Sequence, residues 1–203
     1  MFTGKQSSSL VIVVGLLIAL IMSLAYLSHN SVATALWDKA SPDADEIVPH
    51  IYLGNFGSGN NEAWLRQHNI VAIVNVRFKD DKVYPGIVYL HIPVHDHANT
   101  MISDYFAQAN TFIDEQLRKI GVIVRDICSG APFSTSGEPA ILIHCDYGKS
   151  RSPTILAAYL MHACGYTADE ALAQIRKVRT VKPRSNFMDQ LRAISPNGVV
   201  DRL

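Results

Sequence analysis

The sequence predicts an α/β domain, a mainly parallel central sheet flanked by helices, preceded by one N-terminal helix of membrane-spanning length. Three observations carry this. Short apolar runs of strand length alternate with helix-period segments across residues 44–195, the pattern of a parallel sheet with helical crossovers. One such run, Ala140-Ile141-Leu142-Ile143, ends in His144-Cys145 and passes through a loop directly into a helical stretch. Residues 10–27 form an uncharged apolar run interrupted only by Gly15 and Ser23.

From the N-terminus, residues 1–9 are a short tail. Residues 10–27 are near the length that crosses a bilayer and lack the polar face of a soluble helix. A retained anchor is the first expectation. A cleaved secretory signal is the alternative, because Ala33-Thr34-Ala35 has the small residues of a cleavage site. Lys5 before the run and mostly acidic residues after it favour a translocated domain, whereas a reactive thiolate survives better in a reducing compartment. The side is left open, and so is a secreted or periplasmic product after cleavage. Residues 28–43 read as a linker.

Within residues 44–195, strands are expected at 51–53, 71–76, 88–92 and 140–144, the second and fourth apolar nearly throughout, as in strands covered on both faces. A short helix is expected over residues 61–68. Ser103 is expected to cap a long one passing Phe106, Ile113, Leu117 and Ile120. Thr167-Ala168-Asp169-Glu170 is a capping box for a helix with Leu172, Ile175 and Val178 on one face, and Ser185 is expected to cap the last helix. Residues 127–139, rich in Gly, Pro and Ser, read as a surface insert. Residues 196–203 are a C-terminal tail.

At 203 residues the chain has room for one domain of about 150 residues plus an extension. Acidic and basic residues balance at 18 each, so no field steers the protein toward nucleic acid. Cys128, Cys145 and Cys164 are too few for a disulfide framework and leave at least one unpaired thiol. His91, His95 and His97 are expected to face different ways rather than bind zinc.

The segment His144-Cys145-Asp146-Tyr147-Gly148-Lys149-Ser150-Arg151-Ser152-Pro153 suits thiolate attack on a phosphate monoester. A strand delivers Cys145 to a loop that runs into a helix N-terminus, where unpaired amides favour anions. Those amides and a guanidinium would hold the thiol as its nucleophilic thiolate. Gly148 lets the loop curl so that the amides of Asp146, Tyr147, Gly148, Lys149, Ser150 and Arg151 converge on phosphate oxygens. Arg151 can grip two oxygens in a planar fork, and Pro153 sits where a first helical turn tolerates it. No metal or cofactor is needed, because Arg151 and the amides supply the positive charge.

This segment resembles the His-Cys-x-x-Gly-x-x-Arg-Ser-Pro signature of the dual-specificity branch of the cysteine-dependent protein tyrosine phosphatases. Ile47-Val48-Pro49-His50-Ile51-Tyr52-Leu53-Gly54 is similar to that family's opening strand. Tyr89-Leu90-His91-Ile92-Pro93-Val94-His95-Asp96 is similar to the segment carrying its general acid, and Ala157-Ala158-Tyr159-Leu160-Met161 and Asn186-Phe187-Met188-Asp189-Gln190-Leu191 resemble two late helices. The resemblance implies hydrolysis of phosphate monoesters on protein Tyr and Ser/Thr through a cysteinyl-phosphate. Asp96 would be the general acid, with Asp80, Asp81 and Asp104 as rivals. Ser152 would donate a hydrogen bond to the cysteine sulfur and could also be a helix N-cap. His144 would order the loop through hydrogen bonds, and Lys149 would face solvent or substrate. Cys128 or Cys164 could pair with Cys145 on oxidation. A membrane-associated lipid or metabolite phosphatase is the alternative, although Asp146 would set a negative charge beside a polyanion. A non-hydrolysing phosphoprotein-binding relative is a third reading. The expected partners are a phosphorylated protein or phospholipid substrate and, through residues 10–27, a membrane.

Overall fold

A β-hairpin opens the folded domain in the computed structural model, which describes residues 41–129 and 137–194 together with Met22. Strand β1 (Ala44–Val48) pairs antiparallel with β2 (Ile51–Gly54) around Pro49 and His50, and His50 takes φ 65° to make the turn. The single opening strand expected from the sequence is therefore two strands, because Pro49-His50 reverses the chain. Strands β3 (Ile70–Asn75), β4 (Val88–His91) and β5 (Ala140–His144) complete a sheet of order β1-β2-β5-β3-β4. All pairings except β1–β2 are parallel, so the sheet is mixed with one antiparallel edge.

Central position makes β5 the most buried strand, and its alternating side chains feed two cores. Ile141 and Ile143 join the larger core with Phe106, Ile113, Leu156, Leu160 and Phe187; Ala140 and Leu142 join a smaller one with Leu65, Ile70 and Ile73. The smaller core is covered by α2 (Glu62–Gln67), which follows the single turn α1 (Phe56–Gly59). The larger core holds the remaining helices: α3 (Phe106–Lys119), α4 (Val124–Cys128), α5 (Arg151–Cys164), α6 (Ala168–Arg176) and α7 (Ser185–Arg192). Helix α5 is buried almost throughout, which suits its apolar sequence.

Several caps differ from the sequence reading. Thr167 forms both halves of its capping box with Glu170. Ser103 instead lies inside a 3₁₀ turn (Ile102–Tyr105) and gives its backbone N–H to Gln190 Oε1 at 3.0 Å, so tertiary contact replaces the local cap. Arg184, not Ser185, occupies the N-cap of α7, without a side-chain cap. Helix α6 stops at Arg176, which leaves Val178 exposed rather than on its apolar face.

The insert begins as helix. Ile127 and Cys128 end α4, Ile127 is buried, and Cys128 is bonded to Cys164 at the end of α5 with Cα atoms 5.4 Å apart. The structure thus pairs the two cysteines that were expected to serve at most as partners for Cys145, and it leaves Cys145 as the free thiol. Residues 130–136 and 195–203 lie outside the described residues.

The compact unit carrying these elements begins at Ser41. Asp43, read from the sequence as linker, belongs to it: its carboxylate pairs with Arg179 and its N–H reaches Ser58 Oγ at 3.0 Å. Among the described residues no helix is long and apolar enough to cross a membrane, and the run of residues 10–27, apart from Met22, lies outside them.

Candidate active site

Parallel register brings the carboxyl ends of three strands level, since His144 aligns with Gly54 on one side and with Asn75 on the other. Asn75 aligns in turn with His91, so the segment leading to Asp96 leaves the sheet at the same edge. Ligands of parallel sheets bind at such an edge.

Cys145 follows β5 and is 2% exposed, at the floor of the site. The loop after it is fixed by its carbonyls. Those of Asp146 and Lys149 accept from the backbone N–H groups of Phe56 (3.2 Å) and Lys182 (2.8 Å). That of Gly148 accepts from Arg179 Nε at 3.2 Å, and that of Ser150 accepts from Thr154 Oγ1 at 2.7 Å. Because N–H and C=O point oppositely across a planar peptide, tying the carbonyls outward turns the amides inward. Gly148 has φ 65°, and a Cβ there would lie 2.6 Å from Gly54 O and 3.0 Å from Arg179 Nη2. The position therefore needs glycine for both conformation and space.

Arg151, 5% exposed, opens α5 and turns its guanidinium back toward the loop, with Nη1 donating to Val94 O at 3.2 Å. Ser152 Oγ donates to Cys145 Sγ at 3.2 Å. Ser152 is inside the helix, and the N-cap position belongs to Ser150. Ser150 makes no cap; its hydroxyl donates to Asp96 Oδ1 at 3.0 Å. Asp96 also lies 4.0 Å from Arg151 Nε and 3.8 Å from Arg184 Nε. Cys145, Ser150, Arg151, Ser152 and Asp96 are thus brought together. Lys149 and Tyr147 are exposed.

His144 orders its surroundings by packing. Its ring is wholly buried, fills the space where Gly59 has no side chain, and brings Nε2 to 3.3 Å from the Asp81 carboxylate. Burial, reinforced by the Arg77 charge, pushes its pKa down to about 3, so the ring is neutral at physiological pH. Asp81, a rival for general acid, is 3% exposed, bonded to Arg77 and 3.3 Å from His144 Nε2, which removes it from solvent and substrate. Asp80 points away onto His91. His91 also meets Arg77 O, whereas His95 and His97 stack on each other at 4.9 Å rather than diverging, with Phe78 stacked on His95 at 3.8 Å.

Two arginines had no sequence signal. Arg179 follows α6, is 6% exposed, and joins the loop carbonyl of Gly148 to the carboxylates of Asp43 and Asp45. Arg77 follows β3, lies 4.1 Å over the Phe56 ring, and donates through Nε to Asp146 Oδ1 at 2.6 Å. Arg151 Nη2 donates to the other Asp146 oxygen. Partial burial opposes ionisation of Asp146, but the bonds from Arg151 and Arg77 outweigh it and hold the carboxyl below its usual range. Asp146 is therefore compensated by two guanidiniums and does not stand as an open negative charge on the rim.

Comparison with known proteins agrees with this geometry. Residues 133–196 match the dual specificity phosphatase catalytic domain. The chain is 32% identical over 154 residues to Dual specificity protein phosphatase 1 of Arabidopsis thaliana, covering 72% of this chain and 69% of that protein. The chain belongs to the dual specificity protein phosphatases. This family is one of protein phosphatases of the cysteine-dependent tyrosine phosphatase type. Against Dual specificity protein phosphatase Mpk3 of Drosophila melanogaster the identity is also 32% over 154 residues, covering 32% of that protein. The chain thus spans between about a third and about two thirds of the length of these curated relatives. The crystal structure of DUSP15 superposes with a TM-score of 0.60 at 27% identity, over 73% of this chain and 85% of that one. The fold is accordingly that of the tyrosine phosphatases.

Proposed function

We propose that this dual specificity phosphatase hydrolyses phosphate monoesters on protein Tyr and Ser/Thr through a cysteinyl-phosphate at Cys145. One observation carries the reading: Cys145 Sγ accepts from the hydroxyl of Ser152 in the first turn of α5, the turn that Arg151 opens, and Ser150 at its N-cap donates to Asp96. In the first step the Cys145 thiolate forms a bond to phosphorus as the phosphorus–oxygen bond breaks, and Asp96 gives its proton to the leaving oxygen. Arg151 and the loop amides hold the equatorial oxygens, where charge concentrates. In the second step water attacks phosphorus, its proton passes to Asp96, and the sulfur leaves as thiolate with the Ser152 hydroxyl donating to it.

We further propose that residues 10–27 anchor the enzyme and that its catalytic domain lies on the oxidising side. The Cys128–Cys164 pair supports this, since such bonds persist in oxidising compartments. It also removes the only two thiols that could pair with Cys145 inside the chain. Alkali extraction and protease accessibility in sealed vesicles test the placement: full protection from protease added on the cytoplasmic side is expected, and digestion from that side overturns it.

The chemistry is tested with Cys145→Ser and a substrate panel. Loss of turnover with retained binding of inorganic phosphate is expected, because the hydroxyl does not ionise in this loop while the amide cradle survives. Phosphopeptides carrying phosphotyrosine and phosphothreonine should both be hydrolysed. Preference for phospholipid over every phosphopeptide would replace the protein substrate with a lipid one, and full activity of Cys145→Ser would remove the mechanism.

A further inference from the structure

The loop that would hold the phosphate also holds a carboxylate. Arg151 presents three nitrogens: Nη1 donates to Val94 O, Nε is buried, has no hydrogen-bond partner among the described residues and lies 4.0 Å from Asp96 Oδ2, and Nη2 donates to Asp146 Oδ2. The fork that could grip two phosphate oxygens is therefore half empty and half occupied by Asp146. The second Asp146 oxygen is held by Arg77 Nε at 2.6 Å. Arg77 cannot follow it inward, because Nη1 is bonded to the buried Asp81 carboxylate and the guanidinium plane lies over Phe56.

We infer that Asp146 is an internal competitor for the phosphate on Arg151, and that Arg77 is the cation that holds Asp146 aside when the phosphate enters. The inference rests on the phosphatase reading above and names two residues that set its oxyanion affinity. A carboxylate and a phosphate dianion cannot both sit on Nη2, because like charges at that separation repel strongly in a partly buried site. Phosphate binding thus requires Asp146 to give up its bond to Arg151 while keeping the one to Arg77. Arg77 compensates the displaced charge and, being braced, keeps it from returning.

The geometry requires the two residues to act in opposite directions. Asp146→Asn keeps the shape and removes the charge, so it should tighten oxyanion binding. Loss of the Arg77 charge should weaken it. A purely structural pair would lose affinity with either change. Because Arg77→Gln alone would strand the buried Asp81 carboxylate, it is combined with Asp81→Asn, which keeps the pocket balanced.

The experiment uses the full chain in detergent, with Cys145→Ser as the parent and tungstate or inorganic phosphate titrated by calorimetry. Asp146→Asn should bind about tenfold more tightly, and the Arg77→Gln/Asp81→Asn protein about tenfold more weakly. Adding Asp146→Asn to the latter should restore affinity to the parent level or beyond. With Cys145 intact, Asp146→Asn should lower KM for an aryl phosphate more than it changes kcat, and inhibition by product phosphate should rise. Unchanged or weaker binding by Asp146→Asn overturns the inference while hydrolysis by the unmodified chain leaves the phosphatase reading standing. Absence of hydrolysis by the unmodified chain together with absence of oxyanion binding by the Cys145→Ser parent overturns both.

Discussion

Removing the Cys128–Cys164 bond should lower the melting temperature by about 13 °C and leave the chemistry unchanged at 25 °C. The two cysteines are 36 residues apart, and closing a loop of that length restricts the unfolded chain by about 4 kcal/mol in the chain-entropy treatment. Unfolding a domain of about 150 residues carries an entropy of about 0.3 kcal/mol/K, which converts that loss into about 13 °C. The site should not feel it. Cys164 ends α5 and Arg151 begins it, which separates them by about 20 Å at the helical rise. Calorimetric melting of Cys128→Ser, Cys164→Ser and the double variant without reductant, beside wild type with and without reductant, reads the effect. Each single variant should lose as much as the double one, since either breaks the same bond. A drop below about 3 °C in every case would refute the staple, and a double variant losing twice a single one would mean that the thiols act by packing instead. Lost kcat/KM at unchanged melting temperature would place the bond in the active site's support.

Three further outcomes follow from the site. Gly148→Ala should cost about 1–2 kcal/mol for the left-handed backbone alone, and the clash of its Cβ with Gly54 O should displace the loop and abolish measurable kcat/KM while the protein still melts cooperatively. Asp96→Asn should lower kcat by about 10²–10³ on substrates with poor leaving groups and flatten the basic limb of the pH–rate profile; an unaltered basic limb assigns the general acid to another residue. A protein beginning at Ser41 should keep full activity, whereas one beginning at Ala44 should be less stable by about 1–3 kcal/mol, because Arg179 loses the Asp43 carboxylate and with it part of its hold on Gly148. Equal stability of the two truncations in denaturant would show that Asp45 suffices.

Residue type and spacing along the chain determined β5, the capping box at Thr167, and the run of a strand into Cys145, a loop with Gly148 and a helix start at Arg151. These features are local: a strand, a six-residue loop and a helix start are neighbours in sequence, so their geometry follows from backbone preferences within a few residues. Asp96 was legible only through family resemblance, since nothing local distinguishes it from Asp80 or Asp81. Their difference is burial, which depends on β3 and β5 lying side by side. Only the tertiary structure could join Arg77, 69 residues away, to Asp146, or Arg179, 136 residues away, to Asp43. Contacts of that separation leave no period or motif, because each arginine looks in sequence like any charged residue after an element's end. The Cys128–Cys164 bond is of the same kind. Three cysteines state that one is unpaired, and the packing of α4 against α5 decides that the unpaired one is Cys145.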